Sequence, residues 1–209
     1  MDNPTFELKL QELAKREWDR KAIEGRCKNL MDQGIPAKTL DPDVLTFNRQ
    51  EILDRVQLRA EEYNFILRNC AKSTALALME EFGLGNMEIV TAMSPFPGFG
   101  GTGWMCGAVT GSLIAFGLRF GSHDPLDENG VRASIMIARQ FMPRFENELG
   151  AVTCPQIQEK VVFGRYMDPA AGPDNMKAFE QAQGFEKCSL VPGIGARIAA
   201  EIIIENPPE

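Results

Sequence analysis

Four of the five cysteines stand where a thiol can do chemistry: Cys70, Cys106, Cys154 and Cys188 each lie at or near the edge of an apolar segment. Cys106 follows the loop Gly98-Phe99-Gly100-Gly101-Thr102-Gly103-Trp104-Met105 and precedes the apolar run Leu113 to Leu118, so the pattern predicts a thiol at a helix start. The first amides of a helix lack intrahelical partners and the macrodipole is positive there. A thiolate at Cys106 is therefore stabilised as a nucleophile, an anion or a metal ligand. Thr153-Cys154-Pro155 sets a cap residue and a proline around a second cysteine and predicts another helix start.

The spacings between these cysteines are wide, and no C-x-x-C pair occurs. This excludes local zinc knuckles and ferredoxin loops, so a shared site has to be assembled from separate helices. Four thiolates without histidine suit zinc or an iron-sulfur cluster, because soft sulfur ligands select those metals. The single histidine, His123, sits in the polar turn Gly121-Ser122-His123-Asp124-Pro125 and reads as a helix cap or an exposed loop residue. Cys27, on an earlier helix, reads as a small buried hydrophobe.

No strand precedes Gly98, Gly100, Gly101 and Gly103, so they are not a dinucleotide fingerprint. A better use is to let backbone amides approach a sulfide or thiolate, which makes Gly101 and Gly103 candidate cofactor-binding positions. Gly107 and Gly111 fall four apart on one helical face, where a cluster can come near; tight helix packing is the equal alternative. Thr110 and Ser73 are candidate donors to sulfur, with ordinary helix hydroxyls as the alternative. Trp104 and Phe99 are expected to shield the site from water.

Cys70, the run Cys106-Gly107-Ala108 with Gly111, then Cys154 and Cys188, in that order, resemble the family of redox-active proteins named for the pattern C…GCAxxG…C…C. The resemblance runs from about Tyr63 to the C-terminus and takes in Asn69-Cys70-Ala71 and the stretch Met79 to Leu84. On this reading Met105 stands where the pattern has glycine. The same region resembles the iron-sulfur part of split-Soret cytochromes; their haem-bearing part is unmatched, and this chain has no C-x-x-C-H for covalent haem. What the resemblance implies is an iron-sulfur cluster, of the [2Fe-2S] type, on Cys70, Cys106, Cys154 and Cys188, exchanging single electrons with a redox partner protein. The residues themselves leave two alternatives. One is a metal-free thiol-disulfide oxidoreductase with Cys106 as the low-pKa attacking thiol. The other is a helical interaction domain stabilised by zinc.

Those thiols need elements to hold them. The 209 residues are 44% hydrophobic, enough for a substantial core, and the net charge of −7 speaks against a nucleic-acid partner. No secretory signal and no run of membrane-spanning length is evident, so a cytoplasmic protein with reduced thiols is expected. Phe6, Leu10, Leu13, Trp18, Ile23, Cys27, Leu30 and Met31 recur at helical spacing. They predict one long amphipathic helix from Asn3-Pro4 to Gly34. A connector follows, giving an arm and connector over 1–48 and a four-cysteine domain over 49–209. Within the domain the periodicity predicts helices from Arg49 to Phe82, Met87 to Met93, Cys106 to Phe120, Pro125 to Leu149, Gln156 to Val162, Met176 to Gln183 and Ile194 to Ile204. The architecture expected is all-α: a helical bundle with an N-terminal helical arm, whose apolar face is expected to assemble a homodimer.

Overall fold

Apolar residues at helical spacing, cut by caps, glycines and prolines, give an all-α chain, and the computed structural model describes residues 4–207 of it. The arm and connector form α1 (Pro4–Lys15), α2 (Arg20–Gln33) and α3 (Pro42–Phe47); α4 (Arg49–Leu67), α5 (Cys70–Phe82) and α6 (Met87–Ala92) follow. A kinked turn, α7 (Gly98–Gly101), leads to α8 (Gly107–Phe120) and α9 (Glu128–Leu149). The C-terminal part holds α10 (Cys154–Ile157), a π-helical turn (Gln158–Val162), α11 (Pro173–Gln181), α12 (Gly184–Cys188) and α13 (Leu190–Glu205). No strand occurs among the described residues, only an isolated antiparallel bridge between Met105 and Thr153. No helix among them is long and apolar enough to cross a membrane.

The centre is a stack of α4, α5 and α8, with α13 packed against all three and against α9. Helix α13 is apolar around most of its circumference, from Leu190 to Ile204, as a helix enclosed by others must be. Tyr63, Phe82, Phe116, Phe141 and Phe145 fill the space between these helices.

Two long helices expected from periodicity are each broken. Arg16, Glu17, Trp18 and Asp19 separate α1 from α2, with the Asp19 carboxylate accepting from the Ala22 N–H at 2.9 Å as a new N-cap. Asn3, expected as the first cap, lies outside the described residues. Between α4 and α5, Arg68 turns into the left-handed region (φ 51°) and Asn69 caps the new helix. The expected connector holds α3, started by Asp41 and Pro42. The arm also folds back: Leu13, Ile23 and Leu30 lie in the same core as the central helices, so the apolar face that was expected to assemble a homodimer is covered by its own chain. Glu61, 1% exposed on α4, fastens the arm through Arg16 (2.8 Å) and Lys9 (3.3 Å).

Candidate functional site

Helix ends deliver the thiols. The left-handed turn at Arg68 and the Asn69 side chain, which accepts from the Lys72 N–H at 3.0 Å, make Cys70 the first residue of α5. Cys106 is the N-cap of α8 in an extended conformation. Cys154 opens α10 behind Thr153. Two backbone bonds lock these last two together: the Cys106 N–H donates to the Val152 carbonyl (2.9 Å) and the Cys154 N–H to the Trp104 carbonyl (2.8 Å). Cys188 ends α12, a five-residue helix. The buried Asn64 of α4 donates to the Phe185 carbonyl (3.2 Å) and to the Ser189 hydroxyl (3.1 Å), tying that turn to the helix that leads to Cys70.

All four cysteines line one cavity of about 130 Å³, shared with Gly98, Gly101, Gly103, Ile157, Gln158 and Phe179 among others. Cys106 is buried, and the other three are partly exposed. No three or more His, Cys, Asp or Glu side chains among the described residues gather closely enough to hold a single metal ion.

The thiols differ in charge preference. The Cys70 sulfur accepts from the Cys106 thiol and from the amides of Gly107, Cys70 and Ala71, and these bonds hold its pKa below the ordinary thiol value against the opposing effect of burial. Cys106, the donor in that pair and enclosed, is raised well above the ordinary value. Burial pushes Cys154 up to about 12, with negative charge at Cys70 adding to it and a hydrogen bond from Gln158 opposing it. Burial likewise raises Cys188. The sequence assigned the low-pKa position to Cys106; the structure gives it to Cys70. The reason is positional: a residue inside the first turn of α5 collects amides from its own helix and from α8, while the N-cap of α8 aims its thiol at that sulfur as a donor.

A Cβ added at Gly107 would lie 2.2 Å from the Cys70 sulfur and 2.8 Å from the Ala71 nitrogen. Absence of a side chain there lets the first turn of α8 settle on Cys70. At Gly111 a Cβ would meet the Ala71 carbonyl at 2.5 Å, so this glycine lets α8 pack on α5, the alternative use expected of the pair; neither Gly107 nor Gly111 is among the residues that line the cavity. Gly101 and Gly103 do line the cavity. The Thr110 and Ser73 hydroxyls donate to the backbone carbonyls of Gly107 and Asn69, not to sulfur. Trp104 and Phe99 are 63% and 51% exposed, which contradicts a shielding role. His123 is exposed, as expected of a loop residue, and Cys27 packs against the core with its pKa raised by burial. Asn64 and Gln158 were missed; four-residue spacing from Cys154 was the available signal for Gln158.

Residues 68–202 match the model of the family described as "Putative redox-active protein (C_GCAxxG_C_C)". No curated protein and no solved structure matches the chain. Counted from Ala108 and Gly111, the cysteine of the family pattern falls on Gly107 and its glycine on Cys106. The departure is thus an exchange of these two residues and does not lie at Met105. The exchange moves the thiol from the first helical residue of α8 to its N-cap.

Proposed function

This chain belongs to the C_GCAxxG_C_C family of redox-active proteins, and from that premise we propose that it is an electron-transfer protein holding an iron-sulfur cluster on Cys70, Cys106, Cys154 and Cys188. The observation that carries the reading is that four thiols from four separate helix ends line one cavity. A donor set of sulfur alone suits iron-sulfur centres and zinc. The thiols line a space of about 130 Å³, and the resemblance to the iron-sulfur part of split-Soret cytochromes is what points to a cluster there over one zinc ion. Bound there, a cluster supplies reversible one-electron exchange. The chain's own part is to hold and insulate. The amides of Gly107, Cys70 and Ala71 stabilise negative charge on the Cys70 sulfur, and Ile157, Phe179, Phe185 and Val191 give the cavity a low-dielectric wall. Tyr166, in the cavity lining, is exposed to solvent, which supports electron exchange with a redox partner protein at that face.

Protein made and purified without oxygen is expected to contain iron and inorganic sulfide, to absorb in the visible, and to lose both on Cys106→Ala. Stoichiometric zinc, or no metal under those conditions, overturns the reading.

A second reading is favoured by the Cys106 to Cys70 hydrogen bond. In it, the Cys70 thiolate and Cys106 thiol join as a disulfide, releasing one proton and passing two electrons to an oxidised disulfide on a partner. A peptide map of oxidised protein that joins residues 70 and 106 supports it.

A further inference from the structure

Two polar side chains that line the cavity are almost wholly buried, Asn64 (3% exposed) and Gln158 (4%). Asn64 spends its amide N–H groups on Phe185 and Ser189. Gln158 is different, because its amide N–H groups face a sulfur: Nε2 lies 3.5 Å from the Cys154 Sγ, while Oε1 accepts from the Met167 N–H at 2.8 Å. A backbone N–H can only donate, so the carboxamide oxygen must face Met167 and the amide hydrogens must face Cys154.

We propose that Gln158 is a positioning residue of the redox site, whose carboxamide donates to the Cys154 sulfur, orients it into the cavity and stabilises negative charge on it. The local backbone is built for this. Gln158 stands four residues after Cys154, where a helical turn brings side chains to one face. It also begins the π-helical turn, closed by the Phe163 N–H on the Gln158 carbonyl at 2.8 Å, and such turns recur at functional sites. Through Met167 the same side chain ties Cys154 to the segment carrying Tyr166 and Asp168, which also line the cavity. A neutral donor is the suitable chemistry. Gln158 Nε2 meets the Cys154 sulfur at 3.5 Å, and a donor in that place favours the anionic form that a metal ligand or an attacking thiolate needs.

The test has two arms, one of which rests on the iron-sulfur reading. In cluster-loaded protein, Gln158→Leu and Gln158→Glu are expected to retain iron and to shift the reduction potential to more negative values, because a donor to a ligand sulfur favours the reduced, more anionic state. In metal-free, reduced protein at pH 8, both variants are expected to slow iodoacetamide modification of Cys154 several-fold relative to Cys27, read by peptide mass mapping. A purely structural role predicts the opposite for Gln158→Leu, since loosening the segment around Met167 opens the cavity and speeds modification. Gln158→Glu keeps an acceptor for the Met167 N–H but brings its own charge to the sulfur, so Gln158→Leu is the variant that separates the two roles. An unchanged potential at full iron content, or Cys154 modified as fast as or faster than in the unaltered protein, overturns the proposal. Absence of iron from the unaltered protein would defeat the cluster reading and leave the thiol measurement to decide this one; if Gln158→Leu fails to fold, Gln158→Met, which is uncharged, similar in size and without a donor, carries both arms.

Discussion

At the Cys70 sulfur three amides and one thiol converge, so negative charge is not shared evenly among the four cysteines. In metal-free protein the alkylation rate of Cys70 is therefore expected to reach its plateau at lower pH than those of Cys154 and Cys188. A lowered pKa fills the thiolate at lower pH, and a raised one delays it. Mass mapping across a pH series checks this, and Cys106 reacting first would contradict it. Gly107 makes the convergence possible. Gly107→Ala places a methyl 2.2 Å from the Cys70 sulfur and against the Ala71 nitrogen, and is expected to cost about 3 kcal/mol in chemical denaturation and to abolish metal loading. Gly25→Ala, where nothing lies within 4 Å of the added carbon, is the matched control. The four thiols and the glycine approach were legible in the sequence, because cysteine and glycine carry their chemistry in their identity. Which thiol becomes the anion was not. That depends on the amide of Gly107 reaching Cys70 from another helix, a contact no local pattern encodes.

Helix ends, more than helix faces, position this site. Periodicity located the longer helices but not α3, α7 or α12, and it read through the breaks at 16–19 and 68–69, since an amphipathic pattern keeps its phase across a turn that reverses the chain. The second break matters most, because it turns Cys70 from a mid-helix core residue into a helix start; Asn69 was the available capping signal. Helix α12, which carries Cys188, is five residues long and too short to show a period. The arm's attachment likewise depends on one buried group. Glu61 is almost fully enclosed and leans on Arg16 at 2.8 Å, with Lys9 at 3.3 Å and the Gln57 amide at 3.1 Å. Arg16→Ala leaves that carboxylate short of its nearest cation and is expected to destabilise the protein by about 3 kcal/mol. Arg20→Ala, which breaks an exposed pair with Glu24, is expected to cost under about 1 kcal/mol. Urea denaturation of both variants compares them directly.

On the scale of the whole chain, the sequence divided an arm over 1–48 from a domain over 49–209, whereas the core runs through both: Leu13, Ile23 and Leu30 share it with Val56, Tyr63 and Phe145. Composition could not reveal this, because an amphipathic helix is satisfied equally by its own core or by a neighbour's. A shared core predicts shared unfolding. The chain supplies its own reporters, since its two tryptophans sit at opposite ends of the question. Trp18 stacks on Phe65 of α4 at 4.6 Å with Arg16 over its ring, so it reports the docking of the arm; Trp104 is joined through its carbonyl to Cys154 and reports the site. With Trp104→Phe and Trp18→Phe as single-tryptophan proteins, the fluorescence transitions in urea are expected to coincide with the loss of helical circular dichroism measured on the same variant, giving one midpoint for arm and site. A Trp18 signal that melts at lower urea than the helical signal would show the arm to be a separate unit, docked on the four-cysteine domain without being required for it.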